Sequence, residues 1–95
     1  MTALGVLTLH LHLPGCQSLK EKRGRIKPVL ARLHKQFNLS VAETDLQDRW
    51  QEAVISCCLI NNNPSFVQST LDRVTRFAEA SFPDVQLVNH QIEVF

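Results

Sequence analysis

His10 and His12 stand two apart in a run of alternating leucines. On a strand their imidazoles point the same way and could share a metal ion, with His90 or Cys16 as a third ligand. No carboxylate or second ligand pair is fixed near them by spacing, so surface or interface histidines fit the pattern better, and no metal or cofactor is implied. Cys16 sits just before a helix start, where the helix dipole and the nearby Lys20 and Lys22 would favour a thiolate. A nucleophile also needs a base, and His12 is the only one close in sequence; a loop thiol packed under the helix is the simpler reading. Asp45, Asp48 and Glu52 are acidic but irregularly spaced, with no carboxylate pair of defined geometry, and suit a solvated turn anchored by Trp50. These groups assemble no catalytic constellation, so the reading is non-enzymatic.

The strongest chemical signal is charge. Between Lys20 and Lys35 the cations Lys20, Lys22, Arg23, Arg25, Lys27, Arg32 and Lys35 face a single acid, Glu21, for a net of +6. The remainder of a chain whose total is +1 therefore carries −5. An asymmetry of this size points to a polyanionic partner. Phosphate contacts from these seven residues would give salt-dependent binding with little sequence preference. The alternative is an ordinary solvated helix face neutralised by neighbouring acids.

The elements that position these groups follow from periodicity. Leu4 to Leu13 alternates Leu7, Leu9, Leu11 and Leu13 with Thr8, His10 and His12, a strand with one buried face. Pro14-Gly15 ends it, and Ser18 with Glu21 three residues on reads as a capping box opening a helix at Leu19. Leu19, Ile26, Leu30, Leu33 and Phe37 recur at helical spacing as its inward stripe. Pro28 inside this helix removes a hydrogen bond at a cost of about 3 kcal/mol and predicts either a kink towards Gly24 or a break into two pieces. Asn38 suits a left-handed cap after Phe37.

Leu39 to Asp45 reads as a second strand, Leu46 to Gln51 as a polar turn, and the apolar run Ala53 to Ile60 as a central strand. Asn63 caps a second helix with Pro64 at its first position and Val67, Leu71, Val74, Phe77 and Ala78 inward. Val85 to Phe95 is a last strand whose apolar parity changes between Leu87 and Val88, as a bulge would make it. The order strand, helix, strand, strand, helix, strand predicts an α+β ferredoxin-like domain, with a four-stranded antiparallel sheet and both helices on one face.

Ninety-five residues, 44% of them hydrophobic, suffice for one such domain across 1–95 and leave no room for a second. No apolar run reaches the roughly 18–20 residues of a membrane span. The N-terminus lacks the pattern of an export signal, so a soluble cytoplasmic chain is expected. Three cysteines, Cys57 and Cys58 adjacent, do not make a disulfide framework. The open sheet face should present Thr8, His10, His12, Ser40, Ala42 and Thr44 beside one apolar row of the third strand. Such a face is covered most simply by a second copy of the chain, the alternative being a partly exposed monomer face. It lacks the aromatic residues on strands one and three that stack bases in RNA-recognition motifs.

The run Leu11-His12-Leu13-Pro14-Gly15-Cys16-Gln17-Ser18-Leu19-Lys20-Glu21-Lys22-Arg23, followed by Phe37 to Gln51, resembles the YlxP-like family of small bacterial proteins, a domain of unknown function. The resemblance implies a ferredoxin-like fold. It also implies a cytosolic bacterial protein encoded near translation-initiation and ribosome-maturation factors, and supplies no catalytic residues to carry over. The expectation is a small binding domain, dimeric, that meets RNA or a ribosomal subunit through its first helix. The second expectation is a small-molecule-sensing or protein-interaction module using the open sheet or dimer interface.

Overall fold

β1 (Ala3–His12) is the strand that the alternation of leucines demands: every second residue from Ala3 to Leu11 is buried, and the intervening ones are half-buried. The structure, a computed structural model, describes residues 1–95. β1 is followed by α1 (Leu19–Gln36), β2 (Ser40–Asp45), β3 (Glu52–Asn61), α2 (Pro64–Ser81) and β4 (Gln86–Val94). The strands form one antiparallel sheet in the order β2-β3-β1-β4, with β1 and β3 central, which is the ferredoxin-like arrangement.

The helices cover one face of that sheet. Leu7, Leu9 and Leu11 of β1 and Ala53, Ile55, Cys57 and Leu59 of β3 pack into a single core with Ile26, Val29 and Leu33 of α1 and Val67, Leu71, Val74 and Ala78 of α2. A Cβ on Gly5 would collide with Val67 Cγ1 and Leu71 Cδ1, so glycine is what lets α2 lie this close to β1. By alternation, Leu4, Val6, Thr8, His10 and His12 face the other way.

α1 runs unbroken through Pro28, which excludes the two-piece alternative. Its buried stripe is Lys22, Ile26, Val29 and Leu33, with Leu19 and Leu30 only half-buried. The capping box is half made: Ser18 Oγ accepts from the Glu21 amide at 3.0 Å, while the Glu21 carboxylate turns to Arg25 at 2.8 Å. The helix ends on an extended Phe37, whose amide bonds back to Leu33 O, and not on a left-handed Asn38. The left-handed non-glycine residue is Leu46 (φ 57°), in the β2–β3 turn. At the second helix the expected cap holds, Asn63 Oδ1 accepting from the amides of Ser65 and Phe66. The bulge stands where parity predicted it: Leu11 pairs with Leu87 and His10 with Asn89, leaving Val88 between them.

Candidate functional site

The seven cations of α1 divide into two sets. Lys22 does not belong to a binding surface: its side chain is 2% exposed, and its ammonium lies 2.9 Å from Glu43 Oε2 and donates to Leu46 O at 2.7 Å and Gln47 O at 3.4 Å. The helix stripe turns it inward beneath β2, where burial obliges an ammonium to find such partners. Glu43 Oε2 has no aligned hydrogen bond, so this contact is ionic in character. The same ammonium holds the carbonyl of the left-handed Leu46. Lys22, and not the half-exposed Trp50, therefore anchors the β2–β3 turn.

Arg25 and Arg32 are also committed. Arg25 donates to Pro14 O at 2.7 Å, Asp84 O at 3.3 Å and Glu21 Oε2 at 2.8 Å, tying the start of α1 to the loops before it and before β4. Arg32 donates to Ser81 O and lies over the rings of Phe77 and Phe82 at 5.3 and 5.1 Å. The side chains of Lys20, Arg23, Lys27 and Lys35 make no hydrogen bond or ion pair within the chain, and these residues remain exposed. Arg23 and Lys27 line a shallow groove with Ile26, Leu30 and Glu43, beside the unpaired outer edge of β2.

The open sheet face carries all six of its expected residues. Thr8 pairs with Ser56, His10 with Val54 and His12 with Glu52; Ser40 pairs with Cys58 and Ala42 with Ser56; Thr44 shares a 2.7 Å hydrogen bond with Ser56. One end of the face is apolar across three strands. Ile60 lies opposite Leu4, and Phe95, just beyond β4, bonds to Leu4 through both backbone groups; Ile60 and Phe95 are 67% and 68% exposed. The other end is polar, with His10 Nε2 and Glu52 Oε1 3.9 Å apart.

At that polar end a recess of about 470 Å³ is lined by His12, Asp48, Arg49, Trp50, Gln51 and Glu52. Trp50 and Arg49 were legible only as turn residues; an aromatic in a polar turn is the signal that could have marked them. The thiols are not arranged for chemistry. Cys16 is fully buried and directs its Sγ at Ser18 O, 3.5 Å away. Burial, with a smaller contribution from Cys58, pushes the Cys57 thiol up to about 12. No group of three or more histidine, cysteine or acidic side chains is placed to hold a metal ion. No helix is long and apolar enough to cross a membrane.

Solved structures share the fold at low identity. The designed protein Foldit4 superposes with a TM-score of 0.57 at 11% identity, covering 100% of this chain and 97% of that one. A second designed protein, LFR1 1 with ferredoxin fold, gives a TM-score of 0.51 at 13% identity, covering 100% of this chain and 84% of the other. The uncharacterized protein YlxP of Bacillus subtilis (strain 168) is 33% identical over 78 residues, which is 82% of this chain and 84% of that protein. Residues 4–92 match the family described as protein of unknown function (DUF503), and the chain belongs to that family.

Proposed function

We propose that this is a non-enzymatic binding domain that contacts RNA, in the setting of translation or ribosome maturation, through the exposed flank of α1. The observation that carries the reading is that Lys20, Arg23, Lys27 and Lys35 are exposed on one helix with no acid or carbonyl of the chain engaging them. Cations already paired within a fold are poor phosphate ligands, whereas unpaired ones release counterions when they meet a polyanion. Lys20 to Lys27 spans about 10 Å along the helix axis, enough for successive phosphates of one strand.

The test is co-sedimentation with ribosomal subunits, and retention of a structured RNA, across a salt series. Binding should weaken steeply with salt. The triple variant Lys20→Glu, Arg23→Glu, Lys27→Glu should lower the slope of log K against log salt by about 2, at roughly 0.7 per lost contact to a single strand. Retention by the triple variant equal to that of the parent chain would refute the reading.

A second reading concerns the open sheet face, and the row Ile60, Leu4 and Phe95 favours it. Apolar side chains exposed in register across three strands are the pattern of a surface that another chain covers, and a second copy of this chain is the occupant we propose.

A further inference from the structure

The recess beside Trp50 has a chemistry that the basic helix does not explain. Trp50 is 52% exposed in a polar turn, a large apolar side chain only half covered by the chain. Asp48 makes no hydrogen bond or ion pair within the chain, and Glu52 has only the distant His10 and Arg49, at 3.9 and 3.8 Å. The Arg49 side chain is 69% exposed. A half-exposed aromatic side chain, two carboxylates with free lone pairs and a guanidinium thus line one hollow. The hollow is held rigid from beneath: Leu13 donates its amide to Gln51 O at 2.9 Å, Gln51 Nε2 donates to Cys16 O at 3.3 Å, and Lys22 clamps the turn at Leu46.

Two carboxylates exclude a phosphate from this hollow, so the occupant is a group that offers donors. Among nucleobases, guanine alone places two adjacent N–H donors, N1–H and the N2 amine, on one edge, which is what a carboxylate accepts. Adenine and cytosine set an acceptor beside their single amine, and uracil flanks its one N–H with carbonyls, so each would oppose a carboxylate lone pair. Guanine O6 and N7 are also the acceptors that arginine reads best. Unstacked bases of RNA are held by such aromatic stacking combined with hydrogen bonds to their edges. A volume of about 470 Å³ admits a base with its ribose.

We propose that this recess is a binding site for an unpaired guanine, stacked on Trp50, with its donor edge on Asp48 and Glu52 and its acceptor edge on Arg49. The backbone of a guanine-bearing strand would leave the recess towards α1. Lys22 reaches the turn at Leu46 and Gln47 from α1, and Lys20 and Arg23 stand within one helical turn of Lys22 on that helix. For the strand this inference rests on the RNA reading above; for the base it does not. A free guanine nucleotide and an unpaired guanine of RNA share the same chemistry, and the measurement separates them.

Trp50 is the only tryptophan and the chain has no tyrosine, so its fluorescence reports this site alone. The intact protein is titrated with GMP, with a uridine oligomer containing one guanosine, with the all-uridine oligomer, and with the guanosine strand paired to its complement. Strand retention on a filter is measured in parallel. The expected result is saturable quenching by the unpaired guanosine strand and, at higher concentration, by GMP, with little from the all-uridine or paired strands.

Trp50→Ala, followed by strand retention, should weaken binding of the guanosine strand by about 5- to 150-fold, the range set by base–aromatic stacking, and with it the preference for guanosine over uridine. Trp50→Phe should keep most of it, and Asp48→Asn with Glu52→Gln should abolish it while leaving strand retention in place. Retention without guanosine-dependent quenching overturns the base site and leaves the helix reading standing. Quenching by GMP with no strand retained upholds the base site as one for a free nucleotide and overturns the helix reading. Quenching by all ligands alike, or by none, overturns the proposal.

Discussion

Lys22 and Arg23 are adjacent in sequence and carry the same charge, yet one is a core residue and the other reaches solvent. Cys57 and Cys58 divide in the same way across the sheet. Cys57 points among the helices and is fully buried; Cys58 faces the open side and is half-buried. Burial penalises the Cys57 thiolate, and the neighbouring Cys58 adds to the penalty, so the thiol rises from 9.0 to about 12. The unfolded chain loses this proton at a lower pH than the folded chain does. The associated stability is therefore complete below pH 9.0 and is lost as pH climbs towards about 12. Urea midpoints taken between pH 8 and 11 should fall more steeply for the parent chain than for Cys57→Val, in which the other titrations are shared. Parallel pH profiles for the two chains would show that the thiolate is not excluded from the core.

At the scale of elements, α1 is held to the β2–β3 turn by one side chain. Lys22 supplies three contacts, to Glu43, Leu46 and Gln47, and is almost fully excluded from water. Removing the ammonium alone leaves the Glu43 carboxylate without its counter-ion and releases the left-handed Leu46. Lys22→Met should therefore cost about 3–5 kcal/mol, whereas Lys22→Met with Glu43→Leu, which removes both charges, should recover most of it. Urea denaturation of both variants checks this, and a single variant as stable as the parent would show the clamp to be idle. For the same reason a charge reversal at Lys22 would report on folding and not on binding. Element types were legible because they depend on local period and chemistry: alternating leucines made β1, Asn63-Pro64 opened α2, and the parity change put the bulge at Val88. The pairing of Lys22 with Glu43 was not legible, since the partners are distant in sequence and meet only when α1 packs over β2. A lysine on an amphipathic helix looks solvated until the helix's rotation is known. That rotation puts Lys22 and Val29 with Ile26 and Leu33 in the buried stripe, in place of Leu19 and Leu30.

Across the whole molecule, charge and apolar surface occupy different regions. Unpaired cations lie along α1, the acids of the 45–52 turn lie beside the recess, and the exposed apolar row lies at the Leu4 end of the open face. β1 separates that row, at Leu4, from the recess, at His12, by about 26 Å. The middle of the face carries Val6, Thr8, Ser40, Ala42, Ser56 and Cys58, all small and uncharged, with Gln91 and the exposed Glu93 beside them on β4, opposite Thr8 and Val6. Four strands at about 4.8 Å spacing and about 33 Å of strand length make a face near 600 Å². Two such faces together bury about 1,200 Å², the lower bound of stable interfaces. That magnitude argues for a dimer that dissociates within reach of experiment and not for an obligate one. Sedimentation from about 1 to about 100 µM should therefore show monomer giving way to dimer. Ile60→Asp places a charge at the β3 end of the apolar row and should hold the chain monomeric over the same range with little change in RNA retention, since Ile60 is already exposed and lies by the C-terminal end of α1, away from Arg23 and Lys27. A parent chain that stays monomeric at the highest concentration would leave the row as bare surface, and a variant that dimerises as well as the parent would place the contact elsewhere, with the unpaired edge of β4 the next element to test.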